Sequence, residues 1–345
     1  MIKTQGLRGG YPPPPPPPPP LRGAAGAQAR PPLQTLRGGV RFTRGLFFFF
    51  FIMANDNTKL NKVKQEPQDE YYTPLWAIEK ELRHYDFTNK VVYLNCDNPK
   101  ISMFIKYFKD NFKLLGLQKL YYTFLDPENA HKGTIMLHND NVVTLETPLK
   151  GNGSFDSQEC IEVMKVSDII VTNPPFSLLR KLLGILEGYN KQYILLAPQH
   201  CVDYVSVFDL FKEYKLFFGA NIENIDFYNP ILNITKKIGS MWLQNIKLIR
   251  NKNYEYRYDT LKQTPHMRLD NGNIAINSYR DIPKHYNGVI LAPITILHNW
   301  DYDKFKALWV SSDSFHKGER LFKRIAIIHR DSPELGKIHQ PFKLF

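Results

Sequence analysis

Cysteine is scarce in this 345-residue chain, which holds only Cys96, Cys160 and Cys201. The number is odd and no two are spaced as C-x-x-C, so neither a disulfide framework nor a cysteine-based zinc centre is expected. A reducing, intracellular setting suits such a chain. Long hydrophobic runs are also missing. The longest, Leu46 to Ala54, has nine residues, about half of the ~20 that a membrane-crossing helix needs. Acidic residues are absent from Met1 to Ile52, a segment with seven Lys and Arg, 11 of the 25 prolines and 8 of the 20 glycines.

That segment sets the charge balance. The formal net charge is +12, which by itself suggests a nucleic-acid partner, yet seven of those charges precede Met53 and five remain for the other 293 residues. Pro12 to Pro20 are confined to polyproline II, because each ring fixes φ and removes a backbone donor. A transit peptide would be amphipathic and Ser-rich, and an export signal would carry its apolar centre nearer the start than Phe47 to Phe51. Residues 1–52 are therefore read as a low-complexity, disordered leader translated ahead of a start at Met53, without a targeting role. The body has ordinary proline usage and enough length for a substantial core, which excludes collagen, disorder and disulfide scaffolds.

Residues 53–68 are polar and read as a flexible lead-in. Leu75, Ile78 and Leu82 then predict a short helix with Pro74 in its first turn. Lys90 to Leu94 reads as a strand closed by the turn residues Asn95, Asp97, Asn98 and Pro99. A helix follows from Ile101 to Leu115, stopped by Gly116. Lys119 to Phe124 is a second strand, and Thr134 to Thr147 a hairpin turning at Asn139 to Asn141. After a loop with Gly151, Gly153 and Asp156, Asp168 to Thr172 forms a continuously apolar strand of the kind buried on both faces. Leu178 to Leu186 gives a helix ending near Gly188, and Tyr193 to Ala197 another buried strand. The alternation predicts an open α/β sheet with ligands beyond the carboxyl ends of its strands.

Past Gly219 the pattern is irregular, with one clear strand at Ser240 to Ile249. This gives a core over 69–219, and a 220–345 region holding the remaining core strands and an appended part. In the appended part Tyr228, Trp242, Tyr254, Tyr256 and Tyr258 interleave with Lys236, Lys237, Lys247, Arg250, Lys252 and Arg257. Such a pattern suits a nucleic-acid surface, and equally suits sheet packing with solvated bases between.

The most specific signal is Asn173-Pro174-Pro175-Phe176, directly after an apolar strand; at ordinary usage such a string arises about once in 10⁵ positions. A ring-conjugated amino group is a poor nucleophile because its lone pair is delocalised, and it is neutral at pH 7. It needs acceptors more than a strong base. The Asn173 side-chain oxygen and the Pro174 carbonyl can accept its two N–H bonds and draw the nitrogen toward a tetrahedral shape. The prolines fix that carbonyl, and the Phe176 ring can stack on a flat substrate.

This arrangement resembles the catalytic motif of amino-group methyltransferases that use S-adenosylmethionine. Together with Glu70-Tyr71-Tyr72-Thr73-Pro74, Val91 to Pro99, Asp168 to Phe176, Tyr286-Asn287-Gly288-Val289 and Pro293-Ile294-Thr295, it resembles the EcoRI-type adenine-specific DNA methyltransferases from about Asp69 to the last forty residues. The resemblance implies a Rossmann-like S-adenosylmethionine-dependent methyltransferase sheet with an appended C-terminal target-recognition region. It also implies S-adenosylmethionine without a metal, and double-stranded DNA whose adenine is flipped out and methylated at N6. A restriction-modification setting and a possible monomer go with it.

On the same basis Tyr72, Thr73 and Pro74 lie over the methionine part of the cofactor. Asn95, Asp97 and Pro99 belong to the cofactor loop, which lacks the glycine-rich string of other methyltransferases. Asp126 or Glu128 would accept the ribose hydroxyls, and Phe155 and Asp156 would flank the adenine of the cofactor, with Ser154 where an acid is expected. Two other functions fit parts of the sequence: an N-methyltransferase acting on RNA or on protein glutamine, and an inactive nucleic-acid-binding module.

Overall fold

The computed structural model describes residues 72–124, 134–138, 145–151, 153–229, 233–248, 255–269, 272–311, 314–316, 319–321 and 323–338. All lie in one compact unit, Gln65–Phe345. The leader, the lead-in, Glu70, Tyr71, Asp126, Glu128, the turn at Asn139 to Asn141, and Arg250, Lys252 and Tyr254 fall outside the described residues.

An eight-stranded sheet organises the first two thirds. Its strands are β1 (Val91–Leu94), β2 (Lys119–Phe124), β3 (Thr134–His138), β4 (Leu145–Pro148), β5 (Ile169–Thr172), β6 (Gln192–Pro198), β7 (Phe217–Asn229) and β8 (Ile234–Gln244), in the order β4-β3-β2-β1-β5-β6-β8-β7. The four strands β2, β1, β5 and β6 run parallel, and β3, β4, β8 and β7 add antiparallel pairs at the two sides. Both β1 and β5 are buried along their whole length, as the absence of polar alternation in Val-Val-Tyr-Leu and Ile-Ile-Val-Thr requires.

The helices are α1 (Leu75–Leu82), α2 (Met103–Asp110), α3 (Gln158–Val166), α4 (Leu179–Gly188) and α5 (Val205–Lys212). One face of the sheet packs on α1 and α2 through Ile78, Phe104 and Phe108. The other packs on α3, α4 and α5 and on a second sheet. That second sheet, ordered β12-β15-β11-β10-β9, is built from β9 (Met267–Arg268), β10 (Ile274–Ala275), β11 (Ile290–Pro293), β12 (Phe305–Val310) and β15 (Arg324–His329); β13 (Ser314–His316) and β14 (Glu319–Leu321) form a separate pair. Among the described residues no helix is long and apolar enough to cross a membrane.

Several elements differ from the sequence reading. Pro74 is the N-cap of α1, preceding its first turn. Helix α2 ends at Asp110, because the Asn111 amide donates to the Tyr107 carbonyl (2.9 Å) and closes the helix; the chain then turns to Gly116 at φ +62°. Helix α3 is an element that the periodicity did not predict. The strand expected at Ser240 to Ile249 runs instead from Ile234 to Gln244, and Gly219, where regularity seemed to end, lies inside β7. There β7 bulges between Phe218 and Ile222. The buried Glu81 carboxylate fills the bulge, accepting from Ala220 N (2.8 Å), Asn221 N (2.9 Å), Asn221 Nδ2 (2.7 Å) and the Tyr85 hydroxyl (2.8 Å). A Cβ at Gly219 would stand 2.5 Å from that of Trp242, so only glycine fits this approach.

The interleaved aromatic and basic residues that are described do not form one surface. Trp242 is 1% exposed and packs edge-on against Phe104 (6.0 Å). Tyr256 lies among Phe305 and His329, whereas Tyr228, Lys236 and Lys237 are exposed on the β7–β8 hairpin.

Candidate active site

Chain order reverses between β1 and β5: from β1 the sheet grows through β2, and from β5 through β6 in the other direction. The loops after these two strands part there and leave a crevice, the usual ligand position in an open α/β sheet. A cleft of about 890 Å³, its open mouth included, occupies that place. It is lined by Tyr72, Thr73, Asn95, Asp97, Phe155 and the whole of Asn173 to Phe176. Residues separated by a hundred positions in the chain thus share one cavity.

The loop after β1 is held by its own carboxylate. Asp97, 5% exposed, accepts from Ser102 Oγ at Oδ1 (2.6 Å) and from Thr172 Oγ1 at Oδ2 (2.8 Å). Ser102 in turn accepts from the amides of Phe104 (3.1 Å) and Ile105 (3.3 Å) and caps α2. Burial pushes the Asp97 carboxyl up to about 6, even though both hydroxyl bonds favour the charged form. The Asx turn that closes β1 belongs to Asn98, whose side chain accepts from Lys100 N (3.0 Å). Asp97 is therefore a tie between the β1 loop, α2 and the last residue of β5, and it borders the cleft as well.

Two buried polar atoms facing the cleft lack a partner among the described residues: Thr73 Oγ1 and Asn95 Nδ2, on side chains 4% and 1% exposed. Such groups cost about 1 to 3 kcal/mol each unless something bonds them. A ligand with a carboxylate, amino and hydroxyl groups supplies those bonds, so the donor set fits S-adenosylmethionine. Phe155, 5% exposed, adds an aromatic wall.

Asn173 and Phe176 are half-buried at the cleft, and Pro174 is buried between them. Pro175 sits at φ −51°, ψ 125°, and its carbonyl accepts from Leu178 N (2.9 Å), which starts the turn into α4. The Phe176 ring meets Phe227 of β7 edge-on at 6.1 Å. Tyr72 is bridged to Tyr228 of the same strand in both directions (2.9 and 3.3 Å). The end of β7 therefore braces both flanks of the cleft.

Not every residue singled out from the sequence lies there. Pro74 and Pro99 line no part of the cleft; Pro74 starts α1 and Pro99 only shapes the turn. Asp156 is also absent from the lining. Its carboxylate is engaged by the Ser154 hydroxyl and by Lys181, whose bonds outweigh the effect of burial and lower its pKa. Sequence reasoning missed Ser102, Thr172 and Phe227. Ser102 was findable as a good N-cap residue directly before Met103 and Phe104, and Thr172 as the one hydroxyl in the apolar strand before Asn173. Among the described residues no group of three metal-binding side chains occurs.

The family described as "Adenine-specific methyltransferase EcoRI" matches residues 59–338. The chain is similar to the Type II methyltransferase M.EcoRI of Escherichia coli, at 34% identity over 76% of this chain and 90% of that protein. It is also similar to the Type II methyltransferases M.MgeORF184P of Mycoplasma genitalium (34% identity; 71% and 84% of the two chains) and M.MpnI of Mycoplasma pneumoniae (31%; 72% and 84%). No solved structure matches.

Proposed function

The chain belongs to the EcoRI family of adenine-specific methyltransferases, and from that membership we infer that it is an S-adenosylmethionine-dependent DNA adenine methyltransferase acting at the cleft over β1 and β5. The observation that carries the assignment of the site is the meeting, in one cleft, of Asn173 to Phe176 with the buried and unsatisfied Thr73 and Asn95.

Bound S-adenosylmethionine supplies an electrophilic methyl carbon. Thr73, Asn95 and Phe155 would hold the S-adenosylmethionine, with Tyr72 and Asp97 beside them. A base inside a duplex cannot reach a pocket of this kind, so the adenine is flipped out of the stack. Phe176, its own orientation fixed by Phe227, stacks on the flipped base. Asn173 Oδ1 and the Pro174 carbonyl accept the two N–H bonds of the N6 amino group and turn its lone pair toward the methyl carbon. The N6–carbon bond would form as the sulfur–methyl bond breaks, its electron pair staying on the neutral thioether that leaves, and the nitrogen would then shed one proton to solvent. The parallel strands with their crossover helices are read as the Rossmann-like core. The region from residue 255 onward is read as target recognition, a role favoured by the exposed Arg257, Lys262, Arg268 and Lys284 outside the core sheet.

Substituting Asn173→Ala tests the mechanism. Labelled methyl transfer to duplex DNA should fall about 10²- to 10³-fold, the range seen when a key polar group is removed from a transition state, with cofactor affinity changed less than about threefold. Substantial residual activity would overturn the role of Asn173. Label in RNA or in protein glutamine from the unsubstituted enzyme would overturn the substrate.

A further inference from the structure

The β7–β8 hairpin is longer than the sheet needs. Strand β6 stops at Pro198, opposite Ser240, so Ile234 to Gly239 continue beyond it with Asn224 to Asn229 of β7 as their partners. Six residues at about 3.4 Å each make an arm of roughly 20 Å. It leaves the sheet at the carboxyl end of β6, the edge where β1 and β5 also end and the cleft opens.

Cross-strand partners share a face of the ribbon and successive residues alternate. The partner of Phe227 is Lys236, the partner of Asn229 is Ile234, and the partner of Ile225 is Ile238. Phe227 is the residue that meets Phe176, so these three residues of β8 stand on the cleft side. Lys236 has its Cβ about 5 Å from that of Phe227. Lys237 pairs with Asp226, and Thr235 with Tyr228, on the opposite side. Lys236, Lys237 and Ile234 are all exposed, Ile234 by 44%. An exposed isoleucine beside a lysine at the rim of a pocket for a flipped base suits a phosphodiester strand with apolar base faces next to it.

We propose that the cleft-side face of this arm is a DNA-strand contact, with Lys236 bonding a backbone phosphate next to the flipped adenine and Ile234 lying against its stacked neighbours. The proposal rests on the reading of the chain as a DNA adenine methyltransferase. The adjacent Lys237, with the same charge but turned to the other face, supplies the control.

The full chain and its Lys236→Gln and Lys237→Gln variants are titrated with a fluorescent mixed-sequence duplex across a range of salt, and methyl transfer is measured in parallel. Lys236→Gln should weaken binding severalfold and make the salt slope shallower by about one, with cofactor affinity within about twofold. Lys237→Gln should leave both affinity and slope near those of the unsubstituted chain. Equal losses in the two variants would show that charge alone matters and not the face, and would overturn the proposal. So would an unchanged slope in Lys236→Gln. Because binding is read apart from turnover, a normal titration without adenine methylation would fail the functional reading, while normal methylation with an unaltered Lys236→Gln slope would fail the arm alone.

Discussion

Thr172 is the residue through which the β1 loop reaches Asn173 to Phe176, the proposed catalytic string, and Thr172→Val isolates that link. Valine keeps the shape and removes one hydroxyl, which is fully buried and donates to Asp97 at 2.8 Å. A bond to a charged acceptor contributes about 1.5 to 3 kcal/mol, so the variant should unfold at lower urea with a loss of about 2 kcal/mol. Asn173 is the next residue, and losing the tie loosens the backbone that carries its side chain. A displacement near 1 Å costs about 10²-fold in rate; kcat should therefore fall about 10- to 100-fold while KM for DNA stays within twofold. Asp97 retains only the Ser102 donor, which moves its carboxyl further above about 6, so the acid limb of kcat/KM shifts to higher pH. Thr172→Ser restores the hydroxyl and should restore both. The assay is labelled methyl transfer to duplex DNA across pH, with urea unfolding alongside. A Thr172→Val enzyme that loses the stability but keeps kcat within twofold would refute the coupling and leave a bond that only supports the fold.

Other consequences follow from the same contacts. Asp97 has its carboxyl raised from 3.8 to about 6, so the folded state binds the extra proton between those values and this group's contribution to stability declines as pH rises through that window, by about 3 kcal/mol in all. Urea unfolding of Asp97→Asn should lack that decline, and an equal slope in both proteins would count against it. Glu81→Gln turns an amide NH₂ toward donors that now bond a carboxylate oxygen, which should cost about 2 to 4 kcal/mol; a smaller loss than 1 kcal/mol in urea unfolding would mean that the β7 bulge holds without it. Removing residues 1–52 takes away seven of the twelve net charges yet should leave the salt dependence of DNA binding almost unchanged. A clear drop in slope would return the leader to the binding surface.

The parts of this molecule that were legible in its sequence are those whose causes are local. Strands β1, β5 and β6 are short apolar runs between turn residues, and Asn173 to Phe176 is a contiguous string whose chemistry is visible residue by residue. Helix α3 was hidden because its buried Cys160, Ile161, Val163 and Met164 alternate with glutamates directly after a glycine-bearing loop, where turn signals dominate. The long hairpin was hidden for a related reason. Asn221, Asn224, Asp226 and Asn229 read as turn residues, and they sit in a strand because β8 pairs with the last three and Glu81, 140 residues earlier in the chain, satisfies the bulge at Asn221. The interleaved aromatics left two readings open, since nothing in Trp242 itself distinguishes a core ring from a base-stacking one.

The site shows the same division and explains why it matters. In the proposed mechanism a local motif provides the acceptors for an amino group, but it does not fix where they stand relative to the methyl donor. That distance is set by contacts no window of sequence contains: Asp97 to Thr172 across 75 positions, Phe176 to Phe227, and the Tyr72–Tyr228 bridge. Two of the three converge on β7, whose far end becomes the arm beside the cleft. A strand engaged by that arm would pull on the same β7 that orients Phe176 and anchors Tyr72, so DNA capture and alignment of the reacting groups share one rigid element. Phe227→Ala should separate them. It removes the ring that orients Phe176 and leaves Lys236 in place, so the salt slope of DNA binding should be retained while kcat falls at least about tenfold. Loss of both together, in a protein that still unfolds cooperatively, would show that the arm itself depends on Phe227 for its position.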